Sequence, residues 1–279
     1  MRADWDSQEG TSASSTLRFP PPPPPAFPWH LVLDPTGRAG AEHMAIDETL
    51  LGDAARTGRA FLRLYRWNPP CLSFGRNEPA LARYDRAAIG RRGIAVVRRP
   101  TGGRAVWHEH ELTYAVAAPV TAFGSLGETY CALHEQLAAA LRVLGVAASL
   151  APVRVRPGRL GDGACFAVPA GGEVVVRGRK IIGSAQLRRD GAFLQHGSIL
   201  LDGSQDAVRA LTRGRADGMA AERGETTLAR ELGRPVTFHE VAQAIVDRWH
   251  TLGPIAHQPA LGAPVDPGIY AEPGWTWRR

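Results

Sequence analysis

A single lysine stands out in this chain. Of the 33 Lys and Arg residues in 279, only Lys180 is lysine. A GC-rich genome, which favours Arg, Ala, Gly and Pro codons, accounts for the arginine excess. Where arginine replaces lysine almost everywhere, a surviving lysine marks a position that needs a compact point charge rather than a planar fork. Lys180 lies in Gly178-Arg179-Lys180-Ile181-Ile182-Gly183-Ser184-Ala185-Gln186. Its stem can pack beside the two isoleucines while its ammonium points into a cleft. Upstream, Cys165 sits in Gly161-Asp162-Gly163-Ala164-Cys165-Phe166, a glycine-lined loop leading into that segment. A catalytic thiol needs exposure and a nearby positive charge to populate its thiolate. Cys165 has both if its loop folds back on Lys180. Cys71 and Cys131 read as packing residues, one opening a strand and one mid-helix.

A second segment, Arg98-Arg99-Pro100-Thr101-Gly102-Gly103-Arg104-Ala105-Val106-Trp107-His108, puts two glycines at a turn between strands. Such a turn lets backbone N–H groups approach a ligand closely. Its flanking arginines suit an anionic or carbonyl-bearing partner. The bland reading is a tight turn with solvated arginines. His108 and His110 stand two apart with no third ligand at a zinc spacing, so no metal site is expected. His196, in Gln195-His196-Gly197-Ser198, reads as a satisfied core or cleft histidine on a strand. No G-x-S-x-G elbow, Walker loop or dinucleotide fingerprint occurs.

Composition bounds the rest. A hydrophobic share of 44% with 22% charged residues is that of a globular chain. The net charge is +6 and the pI about 9.8, yet no dense basic cluster is interleaved with aromatics. That makes a nucleic-acid binder the weakest reading. No apolar run approaches the roughly 18 residues of a membrane span, and the start lacks the pattern of a secretory signal. Three widely spaced cysteines without a C-x-x-C pair predict reduced thiols in the cytoplasm, with neither a disulfide frame nor a zinc site.

These residues need a scaffold. Residues 1–28 are polar and then proline-rich, and are expected to be a disordered extension. The first strand is expected near 29–33. A helix over 41–56 puts Met44, Asp47, Leu51 and Ala54 on one face. An aspartate on an apolar face is either a cap to a neighbouring loop or a site residue. Strands are predicted over 61–67 and 71–74, split by Asn68-Pro69-Pro70, and over 94–98 and 112–118, with a short helix over 85–92. Ser125 and Glu128 form a capping box that opens a helix carrying Tyr130, Leu133, Leu137, Leu141 and Leu144 on one face. Antiparallel strands follow over 173–177, 180–188 and 192–201, with turns at Gly178 and Asp190-Gly191. A second capping box, Thr237 to Glu240, opens a helix with Val241, Ala244, Ile245 and Trp249 inward. The result is one α+β domain with a mixed, mainly antiparallel sheet flanked by helices over 29–250, and a Pro/Gly-rich tail over 251–279 that drapes over it.

The motifs together resemble the lipoate–protein ligase and octanoyltransferase family, within the biotin/lipoate A/B protein ligase superfamily. The resemblance rests on Met44-Ala45-Ile46-Asp47-Glu48, on the Arg98–His108 segment, on Gly178–Gln186 and on Gln195-His196-Gly197-Ser198, in family order. Tyr270-Ala271-Glu272-Pro273-Gly274-Trp275 looks like the family's closing segment. The cysteine-dependent octanoyltransferase acting on the glycine-cleavage H protein looks nearest, because that type carries its cysteine in an Ala-Cys-Phe segment upstream of Gly-Arg-Lys-Ile. Here that is Ala164-Cys165-Phe166. One departure is Ala170-Gly171-Gly172, where the family has aromatic residues.

The resemblance implies a biotin/lipoate ligase-like catalytic domain that moves an octanoyl group from acyl carrier protein, through a thioester on Cys165, to a lysine of a lipoyl domain. Cys165 and Lys180 are then catalytic. Arg98, Arg99, Gly102, Gly103, Arg104, His108, Gly183, Ser184, Gln186 and His196 would bind substrate. No cofactor or metal is expected, and the chain is expected to act as a monomer. Two alternatives stay open: an ATP- and Mg-dependent lipoate ligase, with Lys180 against the adenylate and Cys165 incidental, and a degenerate paralogue that binds an acyl group or a lipoyl domain.

Overall fold

The computed structural model describes residues 28–152, 171–214, 224–258 and 265–278. The proline-rich extension and Cys165 lie outside the described residues.

Twelve strands occur among them: β1 (Trp29–Arg38), β2 (Ala60–Trp67), β3 (Cys71–Phe74), β4 (Ala95–Arg98), β5 (Val106–His108), β6 (Glu111–Pro119), β7 (Ala148–Leu150), β8 (Val174–Val176), β9 (Arg179–Lys180), β10 (Ile182–Arg189), β11 (Ala192–Leu200) and β12 (Ile255–His257). The helices are α1 (Gly40–Thr57), α2 (Ala80–Arg83), α3 (Arg86–Arg91), α4 (Leu126–Val143), α5 (Asp206–Ala210), α6 (Leu228–Leu232), α7 (Phe238–Trp249) and α8 (Pro273–Thr276).

A six-stranded sheet in the order β10-β11-β6-β2-β1-β12 forms the centre. Its β10, β11, β6 and β2 pairings are antiparallel, while β1 runs parallel to both β2 and β12. One face packs Leu64, Tyr114 and Val116 against Leu133, Leu137 and Leu141 of α4 and Ile245 and Trp249 of α7. The opposite face packs Tyr65, Ala115 and Leu194 against Met44, Ile46 and Leu51 of α1. Two three-stranded sheets, β4-β3-β5 and β7-β8-β9, flank the main one.

Local chemistry explains the elements that carry the site. α4 begins at a complete capping box: Glu128 N donates to Ser125 Oγ and Ser125 N donates to the Glu128 carboxylate. The β10–β11 hairpin turns through Asp190 at φ 52° and Gly191 at φ 79°, the left-handed pair a tight two-residue turn requires. α7 starts on Thr237, which accepts from Glu240 N, but the box is half-made, because the Glu240 carboxylate is held by Arg234 instead.

Three expectations are corrected. The strand expected over 180–188 is broken at Ile181: β9 pairs with β8 in a small sheet, whereas β10 pairs with β11 in the main one. The turn after Arg98 is followed by an extra strand, β5, antiparallel to β3. The tail does more than drape. Its β12 extends the main sheet beside β1, and Tyr270 is buried against the α1 side of the core.

Candidate active site

A cleft of about 350 Å³ opens where the Gly102–Gly103 turn, α1 and the β10–β11 strand pair meet. Met44, Tyr65, Trp67 and Val106 form its apolar wall. Gly183, Ser184 and Ala185 of β10 and His196, Gly197 and Ser198 of β11 form another. Arg99, His108 and Thr113 complete the lining.

Alternation along β11 sends His196 and Ser198 to the α1 face and Gln195 and Gly197 to the α4 face. On the α1 face His196 bridges two elements. Its Nδ1 lies 2.8 Å from Asp47 Oδ2 of α1 and its Nε2 lies 2.7 Å from Thr101 Oγ1 of the glycine turn. Asp47 is fully buried and also accepts from Arg63 Nη1 at 2.8 Å and from the Tyr65 hydroxyl at 3.2 Å. The aspartate that the helical period put on an apolar stripe therefore holds His196, which lines the cleft. Arg63 in turn donates to His43 Nδ1 at 2.8 Å, while His43 Nε2 donates to the Arg66 carbonyl. Burial first, and then the Arg63 charge, hold the His43 pKa well below its ordinary value. Burial and the Asp47 charge push the Tyr65 hydroxyl well up.

His108 stacks on Trp67 with ring centroids 3.9 Å apart. It meets Ser73 Oγ at 2.6 Å and Glu111 Oε1 at 2.8 Å. Ser198 Oγ also donates to Glu111, at 3.0 Å. Burial lowers the His108 pKa against the opposing pull of Glu111.

The two expected arginines divide. Arg99 lines the cleft and clamps the turn, donating to Ser73 O and to the carbonyls of Gly102 and Arg104. Arg98 is fully buried and is spent on backbone: its guanidinium donates to Gly75 O, Glu78 O and Thr276 O, tying the turn to the C-terminal segment. Gly103 adopts φ 88°, where a side chain would be strained. A Cβ on Gly75 would overlap the Gly103 carbonyl oxygen, so this turn packs backbone to backbone against Gly75. Gly102, Gly103 and Arg104 frame the turn without lining the cleft.

Lys180 is 1% exposed, and its Nζ donates to Glu173 Oε1 at 2.6 Å. It does not line the cleft with the residues above; its charge instead depresses the pKa of His134. Gly183 sits in regular register opposite Ser198. The neighbouring pair is a close approach: a Cβ on Gly197 would overlap Ser184 Oγ and the Gly183 carbonyl oxygen and lie 2.9 Å from Tyr114 Cε1. Gln186 Nε2 donates to Gln195 Oε1 at 2.7 Å, next to the cleft rather than in it. Cys71 is buried, with its thiol pushed up by desolvation, as an inert residue should be.

Sequence reasoning missed His134. It is fully buried on α4, with Nε2 2.8 Å from Ser184 Oγ and Nδ1 2.7 Å from the Gly172 carbonyl. The available signal was a histidine beside Leu133 and Leu137 on the apolar stripe, where the helical period sends it inward. Tyr114 and Glu111 were likewise passed over, because a polar residue on a strand announces nothing until its cross-strand neighbour is known. No group of three His, Cys, Asp or Glu among the described residues could hold a metal.

With this geometry in place, the likenesses to known proteins can be weighed. Residues 39–250 match the lipoyl protein ligase A/B catalytic domain. This chain belongs to that family. Among curated relatives, octanoyltransferase LipM of Symbiobacterium thermophilum is 40% identical over 264 residues, covering 88% of this chain and 90% of the relative. Octanoyltransferase LipM of Kyrpidia tusciae is 38% identical, covering 86% and 89%. Within the lipoyl protein ligase A/B family the chain is therefore an acyltransferase. A T. acidophilum lipoate protein ligase with bound lipoic acid shares the fold, with a TM-score of 0.70 at 22% identity over 90% of this chain and 99% of that one. Lipoate-protein ligase A bound with ATP gives 0.66 at 20% identity over 84% and 90%. The α+β fold expected from the motifs is the fold observed.

Proposed function

We propose that this chain is an octanoyltransferase of protein lipoylation, taking an octanoyl group from acyl carrier protein onto Cys165 and passing it to a lysine of a lipoyl domain, the glycine-cleavage H protein among the acceptors. The observation that carries this reading is a cleft apolar along Met44, Tyr65, Trp67 and Val106 and polar along the β10–β11 pair. One unbranched acyl chain can lie on the first wall while its carbonyl meets the second. The names of the relatives support the acyl group, and Ala164-Cys165-Phe166 supplies a nucleophile just upstream of Gly172 in the sequence.

The chemistry divides into two attacks. The Cys165 thiolate attacks the donor thioester and expels the carrier thiol. The acceptor amine then attacks octanoyl-Cys165 to give the amide and regenerate the thiol. Lys180, held by Glu173, supplies a fixed positive charge. The reaction needs no cofactor or metal, and we infer a monomer working in the cytoplasm. Among the described residues no helix is long and apolar enough to cross a membrane. A surface of net charge +6 favours encounter with acidic protein partners.

The test is octanoyl transfer from octanoyl-acyl carrier protein to an apo lipoyl domain with ATP omitted. Wild type should transfer and Cys165→Ala should not. Transfer that requires ATP and survives Cys165→Ala would establish the ATP-dependent ligase instead.

A further inference from the structure

Helices α2 and α3 and the loop before them carry an unbalanced charge. Residues 76–92 hold five arginines against two acidic residues. Both acids are occupied within the fold. Glu78 is buried, accepting from the Tyr84 hydroxyl at 2.6 Å and from Gly75 N at 3.2 Å. Asp85 caps α3, accepting from Ala88 N at 2.9 Å. Arg76, Arg86, Arg91 and Arg92 are exposed, and so is Arg213, whose Nε donates to the Tyr84 carbonyl at 3.0 Å. Among the described residues none of these five stands within ion-pair distance of a carboxylate. Exposed arginines on other helices are matched: Arg56 with Asp53, Arg142 with Glu135 and Arg234 with Glu240. The unmatched face borders the cleft. Arg76 N donates to the Thr101 carbonyl at 2.7 Å, and Thr101 Oγ1 meets His196 of the cleft lining at 2.7 Å. The Arg86 guanidinium lies 5.1 Å from the centre of the Trp277 ring, which steadies its plane and leaves its N–H edge to outside partners. Leu81 of α2 is 41% exposed.

We propose that Arg76, Leu81, Arg86, Arg91, Arg92 and Arg213 form the docking face for the acidic carrier protein that delivers the acyl group. The inference rests on the donor proposed above and names the surface that receives it. Five arginines without internal carboxylate partners meet a partner's carboxylates with no ion pair of the chain's own to break. Complementary charge also speeds the encounter. Reach favours the donor over the acceptor. A lysine extends on a four-carbon stem, so a lipoyl domain must press directly on the cleft. A carrier holds its acyl group on a long, phosphate-bearing arm, so its body can settle beside the cleft while the arm crosses the glycine turn. The planar fork of arginine suits the carrier's carboxylates and the arm's phosphate alike. Leu81 adds an apolar contact among the charges, the mixture a protein interface uses.

The test measures binding apart from transfer, by fluorescence anisotropy of labelled octanoyl-acyl carrier protein, and separately of a labelled apo lipoyl domain, titrated with the full chain. Arg91→Glu combined with Arg92→Glu should weaken carrier binding by about 10-fold or more and lipoyl-domain binding by less than about 2-fold. Raising salt from about 50 to about 300 mM should weaken carrier binding to the wild type much more than to this double variant. Arg59→Glu combined with Arg230→Glu makes the same change in net charge at exposed positions elsewhere, and should weaken carrier binding by less than about 3-fold. Equal losses in the two double variants overturn the proposal, as does a folded Arg91→Glu, Arg92→Glu protein that binds the carrier like the wild type. A loss of lipoyl-domain affinity instead would give the face to the acceptor and overturn it too. A wild type that binds the carrier through this face but transfers no octanoyl group from it would sink the transferase reading and leave the docking face standing.

Discussion

The two faces of the β10–β11 strand pair hold a histidine in opposite ways. On the α1 face, His196 leans on the Asp47 carboxylate, which is itself paired with the buried Arg63 guanidinium. On the α4 face, His134 sits in a row of neutral amides and hydroxyls that ends on a backbone carbonyl. The first arrangement fixes geometry through charge, and it is costly to break because an ion is left alone in the core. The second fixes the direction of protons and costs less to break, because no ion is left behind. One strand pair thus carries a charged network on one face and a neutral one on the other.

Removing the charge should have the largest effect. Asp47→Leu strands Arg63, a loss of about 3–5 kcal/mol for a broken buried pair. In a domain of this size that is a melting temperature lower by roughly 6–20 °C, read by calorimetry. A drop of only a degree or two would show that the second partner of Arg63, Asp34 at 3.5 Å, suffices.

Gly197→Ala should come next. Its Cβ would overlap Ser184 Oγ and crowd Tyr114, forcing the row apart. Overpacking of this kind costs about 1–3 kcal/mol. A denaturation midpoint shows the stability loss, and an unchanged midpoint would mean that the strand pair parts to admit the methyl group.

The pH dependence sharpens the comparison. His43 and His108 on the α1 face and His134 on the α4 face all have pKa values below the ordinary 6.5. The unfolded chain therefore binds protons near that pH that the folded chain refuses. Stability should be full above about pH 6.5 and fall as the pH drops, for His134 until about pH 4. His134→Gln should flatten part of that slope, measured as urea midpoints at pH 7.5 and pH 4.5. An unchanged slope would mean that the α1-face histidines carry all of it.

Gln186→Ala should matter least. It removes the outermost donor of the row at a partly exposed position, a loss of about 0.5–1 kcal/mol. The urea midpoint should move only slightly, because the Tyr114–Ser184 bond remains.

What was legible in the sequence follows the range of the forces involved. The capping box at Ser125 and the Asp190-Gly191 turn depend on residues a few positions apart, and both formed as expected. The glycine turn was visible for the same reason, whereas its clamp by Arg99 was not. Arg98 was read as a ligand-facing arginine because nothing local reveals that Thr276, far along the chain, offers it a carbonyl. His134 was missed because its meaning lies in Ser184, which comes beside it only when α4 packs on the sheet. The break at Ile181 was invisible because an unbroken apolar run cannot say that it serves two sheets.

The most direct test of the central claim is the intact mass of the protein after incubation with octanoyl-acyl carrier protein in the absence of ATP. The account predicts a gain of one octanoyl group on the wild type, removed by neutral hydroxylamine and absent in Cys165→Ala. A wild-type mass that stays unchanged while octanoyl transfer to a lipoyl domain still proceeds would contradict it.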